Sequence, residues 1–317
     1  MRDDVIVGHN SFKYKVNASW GNQPAKVYPV KDCHEMVMAS NGLLYLLTNE
    51  THNNVLVYNK DGKVQLVWGN SFPGAHGLTI SDENGEEFLY ITDCELHKVF
   101  KTTLRGREIL SIEYPKETGV YSSADEFKPT ETAVGINGDI YITDGYGLQY
   151  IIQYDRRGQY IRHWGGRGND PENFDCAHGI AIDNRNRLMP SLLITSRNEN
   201  CWKRFTIDGK YISTIHLPGS FVCRPVIHKN ILFGAVFRSG INQNVGSGYI
   251  TILDESDTVV STPGGSEPVY KNGKLLEQSQ GDKIFVHPHD VCIDDDDNLY
   301  VPQWNSNCTY PVLLQRI

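Results

Sequence analysis

The chain has 317 residues, of which 39% are apolar, 21% charged and 29 glycine, the composition of a folded, turn-rich protein rather than a disordered or coiled-coil one. A formal charge of -8 argues against nucleic-acid and anionic-membrane partners, which demand a basic face. No stretch approaches the ~18 apolar residues of a bilayer span, and Met1 to Val5 lacks the apolar core of a secretory signal, so a soluble protein is expected, with its compartment left open.

Taken in chain order, Phe12 to Trp20 reads as the last strand of a repeat unit whose other strands are missing, closing on Trp20-Gly21. Apolar, β-branched and aromatic runs bounded by Gly, Asn and Asp then recur: Leu43 to Leu47, Phe88 to Asp93, Asp139 to Asp144, Leu192 to Thr195, Ile231 to Val236 and Asn298 to Val301. A further strand follows several of them and ends on a turn signal, Asp61-Gly62, Arg157-Gly158 or Asp208-Gly209. A fourth strand ends on Trp68-Gly69 and on Trp164-Gly165. The last unit stops after Val312 to Arg316, so the orphan strand at the start completes it. Repeats of about 50 residues with four short strands each predict an all-β, six-bladed β-propeller. Residues 1–317 form a single domain on this reading, with 264–281 an insertion or loop before the last blade. Seven cysteines, an odd number without a C-x-x-C pair, suggest neither a disulfide framework nor a zinc knuckle.

Ahead of three of the second strands stands one recurrent motif: Ala75-His76-Gly77-Leu78, Ala177-His178-Gly179-Ile180 and Pro288-His289-Asp290-Val291. In a propeller the innermost strand of each blade runs along the central channel, so a residue at its start faces the axis at one mouth. His76, His178 and His289 fall in blades two, four and six, about 120° apart, where three imidazoles suit a divalent metal with an open position. His34 begins the corresponding strand of blade one and is a possible fourth ligand. His287, two residues before His289, faces the same side if the backbone is extended, and with Asn49 it is a candidate substrate-binding residue. The second strand runs back to the same mouth, which places Asn49, Tyr146 and Arg197 beside the metal. A phenol close to a metal and an arginine is expected to have a lowered pKa and to serve as a general base, and an arginine there can hold a carboxylate.

These residues, together with Tyr90-Ile91-Thr92-Asp93, Phe127-Lys128-Pro129-Thr130, Asp144-Gly145-Tyr146, Trp164-Gly165 and Arg197-Asn198-Glu199-Asn200, resemble the NHL-repeat propellers and, more narrowly, the peptidyl-α-hydroxyglycine α-amidating lyases. The likeness covers most of residues 30–205 and 285–304. It implies a zinc, or another divalent transition metal, on His76, His178 and His289, with Tyr146 as base and Arg197 beside it. It also implies a structural calcium on Asp290 and the carbonyls of Leu78 and Met36. The implied reaction splits a carbinolamide into an amide and glyoxylate. Asn49 stands where that family has a second arginine, His287 where it has a methionine, and Gly147 where it has a cysteine. Three functions stay open: a metal-dependent lyase, another metalloenzyme (a hydrolase or redox-metal enzyme) on the same histidines, and a non-enzymatic binding propeller. The expected partner is a small-molecule or peptide-derived substrate, met by a monomer.

Overall fold

The computed structural model describes residues 3–317, which form six antiparallel sheets arranged as the blades of a propeller. Blade 1 comprises Cys33–Met38, Leu44–Thr48, Val55–Tyr58 and Val64–Trp68 from the axis outward, and blade 2 Ala75–Glu83, Glu86–Asp93, Lys98–Thr103 and Glu108–Ile112. Blade 3 runs from Glu131–Val134 to Tyr160–Gly165 and blade 4 from Ala177–Asp183 to Tyr211–His216, each again with four strands. Blade 5 departs from the pattern. Its inner strand is split into Ser220–Val222 and Val226–His228, both paired with Ile231–Ser239.

Blade 6 takes Cys292–Ile293, Leu299–Val301 and Val312–Arg316 from the C-terminal end and Phe12–Asn17 from the N-terminal end. The join runs in register from Tyr14 opposite Arg316 to Asn17 opposite Leu313. A fifth strand, Ile6–His9, lies outside it. Among the described residues the only helical pieces are three 3-10 turns, and no helix is long and apolar enough to cross a membrane.

Blades stack face to face, so their middle strands are covered on both sides. Leu44–Thr48 and Ile140–Thr143 are buried at every position, which is why they read as unbroken apolar runs instead of alternating ones. The core is a series of layers between neighbouring blades, such as Val37, Leu47 and Val57 of blade 1 against Leu78, Leu89 and Ile91 of blade 2. The outer strand Val64–Trp68 is largely accessible.

The repeated tryptophan has a common task. Gly106 and Gly209, both at positive φ in the outer hairpins of blades 2 and 4, lie on the rings of Trp68 and Trp164 of the preceding blades. A Cβ on them would stand 2.5 and 2.7 Å from those rings, so the Trp-Gly ending and the hairpin glycine are two halves of one blade-to-blade contact. Trp20 repeats it across the closing joint, donating its indole N–H to Lys60 O at 2.9 Å.

Within residues 264–281, Tyr270–Lys271 and Lys274–Leu275 form a small hairpin outside the six sheets. It rests on blades 4 and 5 through Gln278 N–H to Pro218 O (2.8 Å) and Val259 N–H to the Tyr270 hydroxyl (2.7 Å).

Candidate metal centre

Three of the inner strands begin with the same irregularity. Pairing with the second strand slips between Cys33 and Glu35, between Ala75 and Leu78 and between Ala177 and Ile180, which puts His34, His76 and His178 each on a bulge. A bulge re-aims a side chain, here toward the axis. The glycine after the histidine follows from the crowding. A Cβ on Gly77 would lie 2.5 Å from Thr130 O, and one on Gly179 would strike the backbone of Arg224. His289 enters from blade 6 beside the single bridge between Pro288 and Gln303.

The four imidazoles meet, all buried. Ring centroids of His76, His178 and His289 are 4.8 to 5.0 Å apart, and His34 lies 4.8 Å from His76 and 4.9 Å from His289. His76 Nδ1–H donates to Thr130 O at 2.8 Å and His289 Nδ1–H to His34 O at 3.2 Å. Carbonyls only accept, so these bonds fix the tautomer and leave Nε2 with its lone pair free, the usual arrangement of metal-ligating histidines. His76 Nε2 and His178 Nε2 are 3.2 Å apart, close to the ~3.3 Å between two nitrogens bound tetrahedrally to one ion at about 2.0–2.1 Å. Burial, with smaller contributions from the neighbouring imidazoles and Arg197, holds His76, His178 and His289 well below the ordinary histidine range. Burial, then Arg197 and Lys31, lower His34 to about 3. The rings are therefore neutral, as ligands must be. His34 Nδ1 and His178 Nδ1 are buried without a hydrogen-bond partner. Ligand atoms of His34, His76 and His289 lie within 4.8 Å of one another, as do those of His178, Cys223 and His289, and nitrogen and sulfur donors of this kind suit a transition metal.

Tyr146 reaches over this cluster from the end of blade 3's second strand. Its hydroxyl lies 3.0 Å from His76 Nε2 and 3.1 Å from His178 Nε2. The residue is 40% exposed and lines the cavity, while its hydroxyl sits against the two buried imidazoles. The lowered phenol pKa expected from the sequence is not what the protein's own groups produce. Burial pushes it above its usual value and the Arg197 charge offsets only part of this.

The mouth opens into a cavity of about 400 Å³. Its rim is supplied by residues at, or just past, the C-terminal end of the second strand of each blade. These are Asn49, Cys94 with Glu95, Tyr146, Arg197, Phe237 with Arg238, and Trp304, for blades 1 to 6. Arg197 is buried, its guanidinium lying 4.4 Å from the centre of the Phe237 ring and donating to Cys223 Sγ at 3.3 Å. Arg238 lies on the same ring at 5.1 Å. The Nε atoms of both arginines are buried and unpartnered. Asn49 lines the cavity, but its side-chain amide is engaged at both ends by Asp32.

His287, expected at the substrate, does not line the cavity. Its φ of +54° breaks the extended geometry that would have set it beside His289. Its Nε2 accepts from Gly246 N–H at 2.8 Å, and its ring backs Trp304 at 5.8 Å. No residue of 264–281 lines the cavity either.

The three groups expected to hold calcium do converge, on a side chain. Arg224, from the break in blade 5's inner strand, donates Nε–H to Asp290 Oδ1 and Nη2–H to Asp290 Oδ2, both at 2.8 Å. It also donates to Leu78 O at 2.8 Å and to Met36 O at 3.1 Å. With that guanidinium in place, the donor set does not fit a calcium ion.

The sequence reading missed Arg224, Arg238 and Trp304. Trp304 follows a second strand just as Tyr146 and Arg197 do, whereas Arg238 lies within blade 5's second strand, which was read as ending at Val236 and runs to Ser239.

Comparison with known proteins agrees with the fold. A peptidyl-alpha-hydroxyglycine alpha-amidating lyase of Drosophila melanogaster is 27% identical over 260 residues, 77% of this chain and 45% of its own length. The human NHL repeat-containing protein 3 is 24% identical over 233 residues, 64% of this chain and 67% of its own length. The chain's homologues are named as amidating lyases and NHL-repeat proteins. It spans less than half the length of those lyases. A gluconolactonase of Xanthomonas campestris superposes with a TM-score of 0.64 at 13% identity, covering 95% of this chain and 89% of that one, a likeness of fold alone. No family model matches.

Proposed function

We propose that the chain is a metal-dependent lyase that cleaves a carbinolamide bearing a carboxylate. The observation that carries this reading is the Tyr146 hydroxyl set on the Nε2 atoms of His76 and His178 at the floor of a cavity walled by Arg197 and Arg238. The lyase names of the homologues support it.

His76, His178 and His289 would hold the ion, with His34 and Cys223 as further donors whose ligand atoms lie within 4.8 Å of those of His76 and His289 and of His178 and His289 respectively, and zinc is the metal this set suits best. When bound, a divalent transition ion supplies positive charge that offsets burial at the Tyr146 phenol and polarises the substrate oxygen. The remaining work belongs to side chains. Tyr146, ionised, takes the proton of the substrate hydroxyl. The O–H electron pair becomes the carbonyl of glyoxylate, the C–N bond breaks, and its pair leaves on nitrogen. That nitrogen takes a proton to become the amide, so one proton moves in net from oxygen to nitrogen. Arg197 and Arg238 orient the carboxylate in charge-assisted hydrogen bonds, and Phe237 and Trp304 shield them from water.

Incubating the metal-loaded protein with an N-acyl-α-hydroxyglycine is expected to release glyoxylate and amide in equal amounts. Tyr146→Phe is expected to slow release roughly 10²- to 10⁴-fold, the usual reach of a positioned acid or base. An undiminished rate in that variant would remove Tyr146 from the mechanism. Metal binding without glyoxylate would favour a hydrolase or redox-metal enzyme, a reading to which the fourth imidazole, His34, lends itself.

A further inference from the structure

We propose that the guanidinium of Arg224 is the built-in cation of the channel, standing where the resemblance places calcium, and that removing it converts the cage into a calcium site. The inference does not depend on which reaction the histidine centre performs.

The cage around Arg224 is lined by oxygen. Asp290 accepts with both carboxylate oxygens, and Leu78 and Met36 accept with their carbonyls. Glu35 Oε2 lies 3.3 Å and Glu131 Oε2 3.7 Å from Nη1. Carboxylates and carbonyls without nitrogen or sulfur are the donor set of a hard cation such as calcium. A guanidinium satisfies the same oxygens with planar N–H donors, and in a protein it does not lose its charge.

The arginine also reaches every blade. Its oxygen partners come from blades 1, 2, 3 and 6, its own backbone belongs to blade 5, and Gly179 of blade 4 packs on that backbone too closely for a Cβ. Pro225 follows it, and the inner strand is broken there, so Arg224 Cα sits where the pairing of Ser220–Val222 stops and that of Val226–His228 begins. An ion exchanges with solvent, whereas this charge is covalently fixed. Three carboxylates face one guanidinium, and Glu131 Oε2 has no hydrogen-bond partner. Without the arginine, the cage retains negative charge and oxygen enough for a divalent ion.

The test measures calcium content and thermal unfolding of the wild type and of Arg224→Ala, each desalted from chelator and then given millimolar calcium. The wild type is expected to carry no stoichiometric calcium and to unfold at the same temperature with and without it. Arg224→Ala is expected to unfold at a lower temperature, to bind calcium one to one, and to recover several degrees when it does. Stoichiometric calcium in the wild type, or a calcium-dependent rise in its unfolding temperature, overturns the claim that Arg224 fills the site. No calcium response in Arg224→Ala overturns the claim that the cage is a cation site. If that variant does not fold, Arg224→Gln, which keeps most of the volume without the charge, is put through the same comparison and read in the same way.

Discussion

Two guanidinium groups pack near the Phe237 ring, Arg197 at 4.4 Å and Arg238 at 5.1 Å from its centre. Two cations tolerate such proximity in a partly buried wall when the aromatic face and an incoming anion offset their repulsion. For the proposed lyase, Arg238→Ala is therefore expected to raise KM for a carboxylate-bearing hydroxyglycine roughly 10- to 100-fold, the worth of one charge-assisted hydrogen bond. kcat, and the KM of the corresponding amide lacking the carboxylate, should change little, which steady-state kinetics on the two substrates would show. At this scale the sequence was informative where a residue recurs and silent where it occurs once. His76, His178 and His289 stood out because the same short motif precedes the same kind of strand. Arg224 has no counterpart in another blade and interrupts the strand it belongs to, so no periodicity pointed to it.

Blades 4 and 5 are joined by a ring of alternating charges. Asp183, at the outer end of its inner strand, accepts from Arg185 Nη2 at 2.8 Å and Arg204 Nη1 at 2.6 Å, and both arginines also bind Asp257 in a hairpin of blade 5. Burial of Asp183 opposes its charge, yet the hydrogen bonds from Arg185 and Arg204 win and hold its pKa at about 2. A folded-state value below the unfolded one means that the folded protein binds fewer protons. The pairing thus stabilises fully above about pH 4 and is lost as pH falls through about 2. Wild-type unfolding free energy is expected to drop by about 2 kcal/mol across that window through this group, and Asp183→Asn to remove that part of the slope, as denaturant titrations at a series of pH values would show. The strands of this joint were readable from their apolar runs. The ion pairs were not, because Asp183 and Asp257 come from different repeats and a repeat pattern carries no information on contacts between non-equivalent positions.

On the scale of the whole molecule, the ring decides everything that matters at the axis. Phe12 to Trp20 read as a strand without the rest of its blade and Val312 to Arg316 as the third strand of an incomplete one, which was enough to infer that they share a blade; Phe12–Asn17 and Val312–Arg316 pair in register, and Ile6–His9, not foreseen, adds a fifth strand outside them. Ring closure brings His34 and His289, from opposite ends of the chain, to 4.9 Å. What the ring encloses was half legible. Trigonal placement followed from alternate blades, whereas the turn that takes His287 away from the cavity depends on one left-handed backbone angle. The central claim is that four imidazoles gathered by closure form a metal centre, and metal analysis tests it most directly. Purified wild-type protein exposed to zinc and desalted is expected to retain about one equivalent of transition metal per chain, and His178→Ala to lose it while still unfolding cooperatively. A wild type without stoichiometric metal, or a variant that retains as much as the wild type, would contradict the account.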